Sequence, residues 1–169
     1  MAFTPRLTSS GMQGNPWWYS NGNPFYASNY GLPNCTCYAY GRYAEIRNGF
    51  AALPISDGGQ WWGDVSSQFQ KGQAPALGAV ACWYDPNGGA GHVAIVEELQ
   101  QNGDITTSNS AWRGTYFYLE HLTRASNYQY SNYVFQGFIY MDIPYPVSRR
   151  KMPLWMIALD NPMCIIKRR

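Results

Sequence analysis

Pro33-Asn34-Cys35-Thr36-Cys37-Tyr38-Ala39 (residues 33–39) reads as the start of a helix. Ala39, Tyr43, Ile46 and Phe50 recur at helical spacing, Asn34 is a natural N-cap and Gly49 offers a stop, so the pattern predicts a helix over Cys35–Asn48. At about 100° per residue, Cys35 lies about 40° from the centre of that apolar stripe and Cys37 about 160° from it. Cys35 should therefore face whatever the helix packs against, and Cys37 should turn away.

Upstream, residues 1–33 are rich in Asn, Gly, Pro and aromatic side chains, an irregular lead-in that can still bury rings. Downstream, a short helix is expected near Gln60–Phe69, after the turn at Asp57-Gly58-Gly59. Beyond Pro75 the period changes. Strands are expected at Ala79–Tyr84, His92–Glu98, Ile105–Ser110, Tyr116–Leu119 and Tyr133–Asp142, with turns at Asn87-Gly88-Gly89 and Asn102-Gly103-Asp104. A helix followed by an antiparallel sheet is the order of an α+β fold. In the second strand, His92, Ala94 and Val96 share one face and Val93, Ile95 and Glu97 the other.

At 169 residues the chain suits a single domain with appendages. With 46% hydrophobic and 13% charged residues, 17 Gly and 11 Pro, the composition excludes a disordered chain and disfavours a helical bundle. The net charge of +2 hides an asymmetry: residues 1–148 hold six Lys/Arg against nine Asp/Glu, and residues 149–169 hold six against one. Such a basic tail more often keeps a loose end in solution than grips an anionic polymer, so no nucleic-acid partner is expected. Met1–Arg6 lacks the pattern of a signal peptide, and the apolar run 153–166 is too short for a membrane span and is broken by Asp160 and Pro162. Cys35, Cys37, Cys82 and Cys164 show neither zinc-finger spacing nor a disulfide framework.

A cysteine in the first turn of a helix sits among unpaired N–H groups that favour its thiolate, and histidine is the side chain best suited to exchange protons near neutral pH. A buried cysteine is often a mere small hydrophobe and a strand histidine often structural. Together, however, Cys35 and His92 supply the nucleophile and base that amide cleavage needs. The run Gly88-Gly89-Ala90-Gly91 leaves open backbone beside the His92 ring, where an extended substrate could approach. His121, in the charged segment Glu120–Arg124, reads as surface. Asn109, Glu97, Glu98 and Asp104 are all candidates to orient the imidazole, with Asn109 best placed on the following strand of a meander.

Three motifs in order make the chain resemble the CHAP domain, a group of cysteine, histidine-dependent amidohydrolases and peptidases with a papain-like α+β fold. They are Asn34-Cys35-Thr36-Cys37-Tyr38-Ala39, Pro75-Ala76-Leu77-Gly78-Ala79-Val80-Ala81 and Gly91-His92-Val93-Ala94-Ile95-Val96-Glu97. In Ser108-Asn109-Ser110-Ala111-Trp112, Asn109 stands where the family's orienting Glu is usual. The resemblance implies catalysis by Cys35, His92 and Asn109, a supporting role for Asn34 near the oxyanion, and a cleft that includes Trp112 and Gly91. It places the catalytic domain at 15–142, between an extension (1–14) and a basic, apolar tail (143–169). It also implies bacterial peptidoglycan as the substrate and a phage-type lysin, acting from the host cytoplasm or a virion, or otherwise an extracellular domain of a larger secreted hydrolase, with the tail as a possible contact to virion or wall. No cofactor is expected. Relatives that bind calcium use an acidic loop before the cysteine, and residues 21–29 contain no carboxylate, so no metal is expected there. Two rivals remain open: a module of this fold that binds wall or virion without catalysis, and an amidase or protease of a soluble substrate.

Overall fold

The computed structural model describes residues 3–142; the basic tail and Cys164 lie outside the described residues. Helix α2 (Cys35–Arg47) runs through the centre. Asn34 is extended, and its side-chain oxygen accepts from the backbone N–H of Thr36 at 2.8 Å and of Cys37 at 3.3 Å. A cap of this kind is worth about 1 kcal/mol. At the other end Asn48, ahead of the expected Gly49, takes the left-handed conformation (φ 57°) and closes the last turn, which its short polar side chain tolerates.

Every residue from Thr36 to Ala44 is buried, so the stripe read from the sequence is only half of the packing. Cys37 does not turn away from the core. It is buried against the lead-in, whose short helix α1 (Pro24–Ala27) and Trp18 cover the far side of α2. The Trp18 indole donates to the Tyr38 carbonyl at 3.0 Å, and Asn23 donates to the Cys37 carbonyl at 3.0 Å. This explains Gly41: a Cβ there would lie 2.4 Å from the Trp18 ring, so a residue that weakens a helix interior by about 1 kcal/mol is what admits the indole.

The helix expected near Gln60–Phe69 is shorter: a 3-10 turn (Gly58–Gln60) leads into a single α-helical turn, α3 (Trp61–Asp64), which ends as Val65 becomes extended. Trp61, Val65 and Phe69 are all buried. The chain spends these residues on reaching the core and then a two-residue strand, β1 (Lys71–Gly72), that the period did not reveal. The remaining strands are β2 (Val80–Tyr84), β3 (His92–Leu99), β4 (Ile105–Asn109), β5 (Tyr118–Leu122) and β6 (Val134–Ile139). They form one antiparallel sheet in the order β1-β6-β2-β3-β4-β5. β2 to β5 are a meander, and β6 returns to the opposite side, beside β2. The architecture is α+β, as the sequence predicts.

Val80, Cys82, Val93, Ile95 and Ile139 pack in the layer that contains α2. Ala81, Trp83, Ala94, Val96 and Phe138 pack in a second layer with Tyr128 and Tyr130 of the β5–β6 connection. Among the described residues no helix is long and apolar enough to cross a membrane.

Glu97, on the α2 side of β3 and only 1% exposed, anchors the two layers of backbone. Arg42 grips it with both ends of its guanidinium, Nε to Oε1 at 2.8 Å and a terminal nitrogen to Oε2 at 2.9 Å. Ser108 adds a hydrogen bond at 2.7 Å. Burial works against the Arg42 charge, and the Glu97 carboxylate outweighs it, so the guanidinium stays ionised. Residues 3–14, read as an extension, are stitched into this network: the Arg6 backbone N–H donates to Glu97 at 2.8 Å, the Arg6 side chain pairs with Glu45, and Met12 is buried in the core.

Candidate active site

Helix α2 delivers Cys35 to the edge of β3. The backbone N–H groups of Val93, the residue after His92, and of Thr36 and Cys35 at the free end of the helix are near enough to the Cys35 thiol to favour the thiolate. Cys35 is half-buried, yet enough protein surrounds the sulfur that burial pushes the thiol up to about 11, the N–H groups only partly opposing it. Cys37 and Cys82 are buried thiols whose burial raises them further, Cys37 to about 12. They have the surroundings of inert core residues.

His92 opens β3 opposite Trp83 of β2. Its Nε2 lies 3.0 Å from Asn109 Oδ1 on β4. The Asn109 amide nitrogen is 3.0 Å from both the Thr107 carbonyl and the Thr107 hydroxyl. A carbonyl can only accept, so the amide group must point its NH₂ at Thr107 and its oxygen at the imidazole. Nε2 therefore carries the proton, and Nδ1 keeps its lone pair. Nδ1 makes no hydrogen bond among the described residues. Tyr130 stacks on the ring at 4.6 Å and 18°, and Trp83 lies 5.9 Å away. The Tyr130 hydroxyl is in turn hydrogen-bonded to that of Tyr118. The ring is 5% exposed, and burial lowers its value to about 4, with the Asn109 bond pulling weakly the other way.

The structure thus brings His92 and Asn109 into contact and sets Cys35 against the residue that follows His92. No hydrogen bond joins Cys35 to His92 among the described residues; apo sites often close this contact only with substrate bound. Of the other orienting candidates, Glu97 is taken by Arg42, Glu98 is exposed, and Asp104 lies 3.8 Å from the exposed His121. Gly91 has φ +67°, and a Cβ there would lie 2.5 Å from Gly59 and from the Trp83 carbonyl. The space beside it is filled by the turn Asp57-Gly58-Gly59, so close packing of two backbones, rather than substrate access, accounts for this glycine. Trp112 is 48% exposed, near Tyr30 (ring centroids 5.7 Å apart) and with the Arg113 guanidinium over its ring. Trp18, Trp61 and Trp83 are core.

The sequence matches the CHAP domain family over residues 13–111, a stretch that contains Cys35, His92 and Asn109. The chain belongs to the CHAP domain family. A crystal structure of N-acetylmuramoyl-L-alanine amidase from Staphylococcus aureus has the same fold, with a TM-score of 0.50 at 22% identity, covering 63% of this chain and 30% of that one. A protein of Streptococcus mutans serotype c that carries the provisional name of hydrolase is 36% identical over 58 residues, 34% of this chain and 26% of its own length. The matched stretch thus spans less than a third of either relative.

In this CHAP domain the parts that sequence reasoning missed are those that hold the candidate site in place. Thr107 fixes the amide of Asn109, Tyr130 covers the imidazole, the Val93 N–H favours the thiolate of Cys35, and the 3-10 turn braces the start of β3 through the Gly59 N–H to the Ala90 carbonyl at 2.8 Å. Only the Asp57-Gly58-Gly59 turn left a sequence signal. Among the described residues no group of three or more His, Cys, Asp or Glu is arranged to hold a metal ion.

A pH profile checks the electrostatics. With the thiol near 11 and the ring near 4, both groups are neutral at pH 7. An essential neutral imidazole is lost only as pH falls through the lowered value, so the acid limb of kcat/KM is expected well below the ordinary 6.5, with the plateau still intact at about pH 6. A limb centred at 6.5 would contradict a buried neutral base.

Proposed function

We propose that the chain hydrolyses an amide bond of bacterial peptidoglycan, with Cys35 as nucleophile, His92 as general base and then acid, and Asn109 as the group that fixes the imidazole. The observation that carries this reading is the Asn109–His92 hydrogen bond at 3.0 Å, which leaves the basic nitrogen of the ring unpaired in the neighbourhood of a helix-terminal thiol.

As Cys35 Sγ bonds to the amide carbon, its proton passes to His92 Nδ1. The former carbonyl oxygen, now an anion, accepts hydrogen bonds from the Cys35 backbone N–H and from Asn34. Three donors (the N–H groups of Thr36 and Cys37 and the Thr36 hydroxyl) occupy the Asn34 amide oxygen, which supports a free NH₂ on the pocket side. The imidazolium returns the proton to the leaving nitrogen as the C–N bond breaks. Water, deprotonated by His92, then splits the thioester and restores the thiol. Because both groups rest uncharged, the proton moves during attack rather than before it.

The scissile bond is proposed to be that between muramic acid and L-alanine, or one within the stem peptide or cross-bridge. The amidase named for the structural neighbour supports this class. The sequence resemblance supports a phage-type lysin that meets the wall from the host cytoplasm or from a virion.

Digestion of purified walls with mass analysis of the soluble fragments tests the reading. New amino groups matched one to one by new carboxyl groups, with glycan chains intact, are expected. Bound protein that releases no fragments would overturn hydrolysis in favour of a wall-binding module.

A further inference from the structure

The first turn of α2 borders a pocket of about 510 Å³ whose walls include Tyr30, Asn34, Thr36, Ser56, Asp57 and Gln60. Asp57 is the one charged side chain in its lining. It is exposed, and its carboxylate accepts no hydrogen bond or ion pair from a described residue. The 3-10 turn that follows takes no cap from it, and the neighbouring Ser56 hydroxyl goes to Asp64 at 2.6 Å. Five of the six cations of the body are engaged elsewhere, Arg6, Arg42 and Arg47 in ion pairs, Lys71 over Trp62 and Arg113 over Trp112, and the sixth, Arg124, acts on Tyr128. An uncompensated carboxylate therefore lines a pocket whose other polar groups are neutral, among them the hydroxyls of Tyr30, Thr36 and Ser56 and the amide of Gln60.

We propose that this pocket is a subsite for a primary ammonium group of the substrate peptide, with Asp57 as the residue that reads its charge. The inference rests on the hydrolase reading and narrows it. In a wall peptide such a group is the side-chain amine of a diamino residue or the free amino end of a cross-bridge, and cross-linking turns it into a neutral amide. An ammonium has three N–H donors, which the carboxylate, the surrounding hydroxyl oxygens and the Gln60 amide oxygen can accept. The enzyme should therefore favour strands whose amine is still free. Seating the cation also helps the thiol: burial is the main reason its proton is held tightly, and the Asp57 charge adds to it, so a cation on Asp57 removes that addition.

The test is a binding cycle on the 169-residue chain carrying Cys35→Ala, titrated calorimetrically with a soluble muramyl peptide ending in lysine and with its Nε-acetyl twin, with and without Asp57→Asn. Asp57 is exposed and uncapped, so this exchange should leave the melting temperature unchanged. Acetylation is expected to weaken binding about tenfold, or ~1.4 kcal/mol, when Asp57 is present and to have little effect when it is replaced. Equal losses on acetylation in both backgrounds, or no loss in either, would overturn the subsite. Wild-type digestion of walls, run in parallel, separates the two claims: cleavage without this coupling removes only the subsite, whereas neither binding nor cleavage removes both.

Discussion

Alanine in place of His92 is expected to lower kcat by about three orders of magnitude or more, since the variant loses both the acceptor for the thiol proton and the donor for the leaving amine. The same substitution has a signature in stability that distinguishes a buried neutral base from an exposed one. In the unfolded chain the ring takes up a proton below about 6.5, whereas in the folded protein burial delays uptake until about 4. Between those values the unfolded state binds more protons, so the wild type loses stability as pH falls through the window, by roughly 3 kcal/mol from this residue. The variant lacks that loss. At pH 7 it should be the less stable protein, because Asn109 loses its partner and Tyr130 its stacking ring. The gap in melting temperature between the two should narrow steadily from pH 6.5 to 4. A constant gap would show that the ring is not held neutral.

The second large effect concerns the fold. Arg42→Met removes the guanidinium and leaves the Glu97 carboxylate buried with Ser108 and a backbone N–H as its remaining partners. Removing one member of a buried pair typically costs about 3–5 kcal/mol, far more than the pair itself contributes. Urea unfolding at pH 7 should show a loss of that size. Adding Glu97→Gln should recover a large part of it, because the stranded charge is then gone. A loss under about 1 kcal/mol would mean that water reaches Glu97.

These residues also show how far the sequence could be read. The bounds of α2 are legible because Asn34 caps its start and Gly49 marks a stop one residue past the Asn48 that closes it; β2, β3, β4 and β6 are legible because their alternation is local, whereas β5 lies at Tyr118–Leu122 rather than Tyr116–Leu119 and the two residues of β1 are too few to show a period. Periodicity sets Cys37 on the wrong side because it assumes one covered face of the helix, whereas Trp18 covers the other from twenty residues upstream of Tyr38. The seat of β6 beside β2 depends on pairing across some fifty residues, which no local period records. Asn109 could not be separated from Glu97 on spacing alone. In space Arg42 claims Glu97, and Thr107 turns the Asn109 oxygen toward the ring. Gly91 looked like room for a substrate because a glycine run reads the same whether its open face meets a ligand or, as here, the backbone of Gly59.

The most direct measurement is the release of soluble peptide from purified cell walls by the wild type and by Cys35→Ala, a change of one atom at a half-buried position that should leave the melting temperature within a degree or two. The account predicts release by the wild type and a rate at least about a thousandfold lower for the variant. Equal release by the two proteins would contradict a nucleophilic role for this thiol.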